Sequence, residues 1–202
     1  MSPKLSKYLA QVILGGLVLY FFYLFIEAFD IVNRRHISTD NGIYINSIKT
    51  EDPYIQELTH RLTKNCTNDL CRVQKLLDYV TNIPYQVNNF QAHSPQATIK
   101  QNFGDCDDKS NLLISMLHEL NLESYFVLVP KHIFVIVAID DIHLKYLVKG
   151  LYINNKKYYI LETTAPNSPV GFPLQYSLDE IETIIEPFAN KKLEIQTIEW
   201  KL

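Results

Sequence analysis

Glycine is scarce in this 202-residue chain, six in all, and none of them builds a glycine-rich phosphate loop. The sequence therefore lacks the backbone cradle that holds a nucleotide phosphate. It also lacks an excess of positive charge. Lys and Arg number 19 against 22 Asp and Glu, the net charge is −3, and the basic residues are dispersed. A nucleic-acid surface needs a clustered basic patch, so no nucleic-acid partner is expected. No internal repeat or low-complexity tract occurs. Cysteine numbers only three. Cys66 and Cys71 form a close pair, but no second ligand pair at a recognisable spacing completes a zinc site. Asp105, Asp107 and Asp108 lack the further, regularly spaced oxygen ligands of a calcium loop. Neither a metal nor a cofactor is called for.

What the chain does have is one long uncharged run. From Tyr8 to Ile26 no charged residue occurs over 19 positions, and a helix needs about 20 apolar residues to cross a bilayer. A cleaved signal peptide would have a shorter apolar core and a small-residue cleavage site. Here the aromatic end Tyr20 to Phe25 runs straight into Glu27, Ala28, Phe29 and Asp30. The expected organisation is a short tail over 1–7, a retained transmembrane signal anchor over 8–30, a linker over 31–50 and one domain over 51–202. Lys4, Lys7 and the amino terminus precede the run and Arg34 and Arg35 follow it, a nearly balanced positive-inside count. A very short tail ahead of a single span is most easily left in the cytoplasm. That predicts a single-pass protein with its domain on the periplasmic or extracytoplasmic side. Cys66 and Cys71 can bridge in such an oxidising compartment or remain two reduced thiols; spacing does not choose. A bridge would leave Cys106 as the odd thiol, the pattern of a nucleophile.

The chemistry concentrates in Gly104-Asp105-Cys106-Asp107-Asp108-Lys109-Ser110. Leu112, Leu113, Met116, Leu117 and Leu120 follow at helical spacing. Gly104 permits a tight turn, so Cys106 falls at the first turn of a helix. The N-terminal N–H groups and partial positive charge there lower a thiol pKa. His132 opens the strand-like run to Val137, and Glu162 ends another. Singly, each has a plainer reading as a small buried residue, a satisfied histidine or a solvated acid. Together they supply a nucleophile, a base and an orienting carboxylate.

The order of these pieces resembles the transglutaminase-like superfamily of cysteine enzymes. Gly104 to Ser110, Pro130 to Val137, and Ile160-Leu161-Glu162-Thr163-Thr164-Ala165-Pro166 carry the resemblance. It implies a papain-like core, with Cys106 as nucleophile, His132 as general base and Glu162 as the acid that orients it. The family more often has Asp at the third position; Glu serves, since the task is to accept a hydrogen bond from the ring. The implied activity is a thiol hydrolase, a peptidase or amidase, working through an acyl-enzyme thioester on a protein or peptide near the membrane. A transamidase of the same chemistry and a non-catalytic peptide-binding module are the alternatives. The oxyanion would take the Cys106 N–H and one further donor, from Gln101, Asn102 or Tyr85.

The coarse order of elements is α+β, helices first and antiparallel strands later. Helices are expected after Pro53, after the cap Asn68, and from Cys106 toward Asn121. A loop holding His93, Pro95 and Gln96 precedes the Cys106 helix. Strands are expected over 124–129 and 132–139. Asn154-Asn155-Lys156-Lys157 should close a hairpin between Leu151 to Ile153 and Tyr158 to Leu161. Ser177-Leu178-Asp179-Glu180 reads as a capping box ahead of Ile181, Ile184 and Ile185. Residues 193–200 alternate as a terminal strand.

Overall fold

The computed structural model describes residues 3–33, 35–39, 42–87 and 92–202. The chain divides into two compact units, Met1–Arg35 and His36–Leu202. The first is one helix, α1 (Pro3–Asn33). Its 20-residue segment Lys7–Ile26 has a mean hydropathy of 2.2. At about 1.5 Å per residue such a segment matches the hydrocarbon thickness of a bilayer. Its length and composition fit a single membrane span. Arg34, one of the charges that bears on orientation, lies outside the described residues.

The second unit is built of helices followed by an antiparallel sheet. Strands β1 (Arg35–Thr39) and β2 (Gly42–Asn46) pair with each other. Helix α2 (Pro53–Thr63) starts at Asp52, whose carboxylate accepts the N–H groups of Tyr54 and Ile55. Helix α3 (Asp69–Thr81) starts at Asn68, which accepts from Cys71. Helices α4 (Pro95–Gln101) and α5 (Cys106–Glu119) lead into the strands β3 (Ser124–Val129) and β4 (His132–Val137). Next come α6 (Ile142–Leu147), β5 (Gly150–Ile153), β6 (Lys156–Leu161), β7 (Thr183–Glu186), β8 (Lys191–Lys192) and β9 (Ile198–Lys201). The seven-stranded sheet runs β8-β7-β3-β4-β6-β5-β9.

Alternation along the strands divides the apolar residues between the two sheet faces. Ile133, Val135, Val137, Phe126, Tyr159 and Leu161 join Leu112, Leu113, Met116 and Leu117 of α5 in one buried cluster. Phe134, Ile136, Val127, Tyr158 and Ile160 form a second, against which Phe172, Leu174, Tyr176 and Leu178 pack. Both faces of β4 are thus covered, which is why its run reads as continuously apolar. Since the unit carries its own core, residues 36–202 are expected to be soluble and to melt cooperatively without α1. Aggregation of that fragment without a folded signal would overturn this boundary.

Several expectations need correction. The loop expected around His93, Pro95 and Gln96 is largely the helix α4. Ser94 caps it, Pro95 opens it, and Asn102 closes it in the left-handed conformation at φ 56. Seven residues are too few for a periodic apolar stripe, so only its start and stop signals were there to be read. Helix α6 was unexpected for a similar reason, since of its six residues only Leu144 is buried. The Ser177 capping box forms, but it closes a single 3-10 turn, Leu178–Glu180. The chain then extends as β7 beside β3, with Ile185 buried in the helix-side cluster and Ile184 in the other. Burial on both faces suits a strand inside a covered sheet and overrides the helical spacing. Strand β4 ends at Val137, and β9 is limited to Ile198–Lys201. Just ahead of β9, the Asn154 side chain takes hydrogen bonds from the N–H groups of Gln196 and Thr197. The last part of the expected linker belongs to the core: Tyr44 is 5% exposed and donates to Asn111 at 2.8 Å, and Ile48 is buried. The β5–β6 hairpin turns on Asn154 and Asn155, both at positive φ, as its Asn-Asn signal predicts.

Candidate active site

The first turn of α5 is held by reciprocal carboxylates. Asp105 caps the helix and accepts the Asp108 N–H at 3.3 Å, while Asp108 accepts the Asp105 N–H at 3.4 Å. Asp108 also accepts the His93 N–H at 2.5 Å and lies 3.2 Å from His93 Nδ1. A Cβ on Gly104 would fall 2.8 Å from the Asp108 Cβ, so only glycine fits ahead of this cap. Gly104 bridges to Tyr85, donating to the Pro84 carbonyl and accepting from Gln86. Cys106 therefore enters the helix from a backbone fixed on several sides.

Cys106 is half-buried, and its S–H donates to Asp107 Oδ1 at 3.5 Å. The backbone N–H of Ile133 points to its sulfur. The sequence predicts a lowered thiol pKa here; the structure gives the opposite. Burial pushes the Cys106 thiol up to about 12, and the charges of Asp107 and Asp105 add to it. Burial is the larger cause, and the nearby Asp107 and Asp105 carboxylates act in the same direction, against what helix position alone predicts. Asp107 is itself raised to about 6, by burial first and by Asp105 next.

His132 is the first residue of β4, and Glu162 follows the last residue of β6, the neighbouring strand. The His132 Nε2 and the Glu162 Oε2 are 2.8 Å apart. The other oxygen of Glu162 accepts the Thr164 N–H at 2.9 Å and its hydroxyl at 2.6 Å. Burial works against ionised Glu162, but the hydrogen bonds from His132 and Thr164 hold its carboxyl below the usual range. An ionised Glu162 can only accept, so His132 Nε2–H is the donor of this hydrogen bond. Ser110 on α5 and Thr163 share a buried hydrogen bond at 3.3 Å, which ties the Cys106 helix to the Glu162 segment. The sulfur, the imidazole and the carboxylate thus gather at the opening residues of β4.

Of the three oxyanion candidates, Tyr85 is the one whose hydroxyl feels the Cys106 charge. Burial raises its pKa, and Cys106, Asp105 and Asp107 raise it further. All three side chains are exposed, Tyr85 at 54%; Gln101 and Asn102 lie at the end of α4, where the Asn102 N–H is occupied by the Thr98 carbonyl. Two neighbours of the site had no role in the sequence reading. Tyr176 stacks on His132 at 6.2 Å and on Phe134 at 6.4 Å. It arrives from an irregular segment, where no periodicity marks it. Lys109 stands inside the motif but is buried, a placement that composition does not signal. Cys66, in the connection after α2, is disulfide-bonded to Cys71 in the first turn of α3. Among the described residues, no group of three or more His, Cys, Asp or Glu is placed to hold a metal ion.

The family model described as Transglutaminase-like superfamily matches residues 56–144. That stretch contains Cys106 and His132 and ends before Glu162. No curated protein matches the chain. Among solved structures the chain is similar to a candidate cysteine protease from Cytophaga hutchinsonii, with 15% identity and a TM-score of 0.47, over 73% of this chain and 50% of that one. A candidate protease from Parabacteroides distasonis is similar at 12% identity and TM-score 0.45, over 71% of this chain and 28% of that one. Calcium-bound LapG of Legionella pneumophila is similar at 10% identity and TM-score 0.40, over 70% of this chain and 91% of that one. The chain thus spans half the length of the first of these and less of the second. Residues 56–144, from within α2 through α5 and into α6, match the model of the superfamily that the Gly104 to Ser110 motif resembles.

Proposed function

We propose that this protein is a membrane-anchored thiol hydrolase, a peptidase or amidase acting through Cys106, His132 and Glu162. The observation that carries the reading is the 2.8 Å His132–Glu162 pair at the start of the strand whose next N–H points to the Cys106 sulfur. With the thiol protonated at rest, its proton passes to His132 Nδ1 as the sulfur attacks the substrate carbonyl. The S–C bond forms, and the oxyanion takes hydrogen bonds from the Cys106 N–H and the Tyr85 hydroxyl. His132 then delivers the proton to the leaving nitrogen as the C–N bond breaks. Water, deprotonated by the same imidazole, hydrolyses the thioester and restores the thiol. Glu162 keeps the ring in the working tautomer and stabilises the imidazolium.

The substrate in this reading is a protein or peptide near the bilayer, because α1 holds the domain there. The Cys66–Cys71 bond supports a domain on the oxidising, non-cytoplasmic side. A reporter fused after Leu202 that works only outside the cytoplasm should be active; activity of a cytoplasm-only reporter would overturn the orientation. The chemistry is tested by screening peptides and envelope components against the protein and its Cys106→Ala variant. Turnover lost in the variant supports the hydrolase, and product analysis separates hydrolysis from transamidation. One observation favours a second reading, a non-catalytic peptide-binding module: a thiol raised to about 12 is a poor resting nucleophile. Peptide binding without a Cys106-dependent product would favour that reading.

A further inference from the structure

Lys109 is a buried titratable group that the mechanism above does not use. It lies one turn beyond Cys106 on α5, at the spacing that puts two side chains on the same face of a helix. It is 1% exposed. Its ammonium donates to the Ile83 carbonyl at 2.8 Å and to the Thr81 carbonyl at 3.3 Å. Among the described residues, no carboxylate lies within ion-pair distance of it. A buried ammonium held only by carbonyls is costly, and an apolar side chain of similar length would fill the space without that cost. Packing alone therefore does not account for a lysine here.

Its surroundings suggest what does. Thr81 is the last residue of α3, where helix carbonyls run out of backbone partners. Two residues past Ile83 the chain reaches Tyr85, which bridges to Gly104 just ahead of the nucleophile's turn. The clasp thus fixes the approach to both Tyr85 and Cys106. The second consideration is charge. Asp105, Asp107 and Glu162 make the neighbourhood of Cys106 and His132 negative. Burial pulls the Lys109 ammonium down to about 8, and the charge of Glu162 opposes that pull.

Resting on the catalytic reading above, we infer that Lys109 is a positioning residue of the site. Its buried cation clasps the Thr81–Ile83 backbone leading to Tyr85 and offsets the carboxylates around Cys106 and His132. A positive charge one turn from the sulfur favours the thiolate as it forms. The residue does not touch the substrate; it acts through the backbone it holds and the field it supplies.

The test pairs two variants of the full-length protein in detergent, probed by iodoacetamide alkylation of Cys106 against pH and by thermal melting. Lys109→Met removes a buried charge but leaves the Thr81 and Ile83 carbonyls without their donor, two opposing effects, so its melting temperature should stay within a few degrees of wild type. Its alkylation profile should move to higher pH, with the rate at pH 8 about three- to tenfold lower, the change expected for half a unit to one unit in the thiol. Lys109→Arg keeps the charge and should hold the wild-type profile even where its larger head lowers the melting temperature. A Lys109→Met profile superimposed on the wild type overturns the inference, and so does a Lys109→Arg profile displaced as far as that of Lys109→Met. Alkylation reads the thiol without any substrate, which separates two failures. An unchanged profile in Lys109→Met beside a changed one in His132→Ala defeats this inference alone; unchanged profiles in both defeat the catalytic reading as well.

Discussion

Replacing Cys106 with alanine should end covalent turnover, and His132→Ala should lower kcat/KM by about 10²- to 10⁴-fold, the usual worth of a positioned general base. The two losses should not add, because nucleophile and base act on the same proton. Glu162→Gln should leave more activity than either. It keeps the shape of the group but presents an amide that can hold the imidazole in the wrong tautomer. Glu162→Asp should retain measurable activity, since a shorter carboxylate still accepts from the ring and from Thr164. Alkylation supplies the substrate-free control. At neutral pH the reaction of Cys106 should slow in His132→Ala, leaving only the uncatalysed reaction of the thiolate at high pH. If the profile of Cys106 is the same with and without His132, the two are not paired, and the binding-module reading becomes the better one.

Asp107→Asn should have the opposite effect, a gain in thiol reactivity. The Asp107 carboxylate accepts the Cys106 S–H and is among the charges that raise the thiol. Removing that charge should increase the thiolate fraction at pH 7 by roughly tenfold, and the alkylation rate with it, since one pKa unit is a factor of ten. The same substitution carries a signed effect on stability. Burial raises Asp107 from 3.8 to about 6. A carboxyl raised on folding contributes stability that is full below about pH 4 and lost as pH climbs through 6. The melting temperature of Asp107→Asn relative to wild type should therefore rise between pH 4 and pH 7. Slower alkylation in the variant, or a relative melting temperature that falls over that range, would remove Asp107 from this role.

The sequence made the Cys106 helix legible because several signals agree there: Gly104 for the turn, Asp105 for the cap and the apolar positions from Leu112 onward for the buried face. Asn68 and the Asn154-Asn155 hairpin were legible for the same reason. The Thr183–Glu186 strand was not. Ser177 to Glu180 do form their capping box, and Ile181, Ile184 and Ile185 do stand at helical spacing, but a vacant place beside β3 decides the outcome, and no local pattern reports a vacancy in a sheet. The acid–base state of the site was hidden in a similar way. Helix position argued for a low thiol pKa, while the deciding facts are burial and the placement of Asp107 against the sulfur, both tertiary. Tyr176 and the buried state of Lys109 belong to the same class.

The high proton affinity of Cys106 has a protective side. A thiol pushed up to about 12 by burial is almost wholly protonated at pH 7. Oxidants and small disulfides react with the thiolate, so sulfenic acid and mixed disulfides form in proportion to the ionised fraction. If the domain lies on the oxidising side of a membrane, as proposed, a freely ionised third cysteine beside the Cys66–Cys71 disulfide would be consumed there. In the proposed mechanism Cys106 gives up its proton only to His132 with substrate bound, and such a thiol would survive there. The free enzyme should accordingly tolerate peroxide and oxidised glutathione far longer than an ordinary exposed thiol does, and resting silence would then be a condition of its working life.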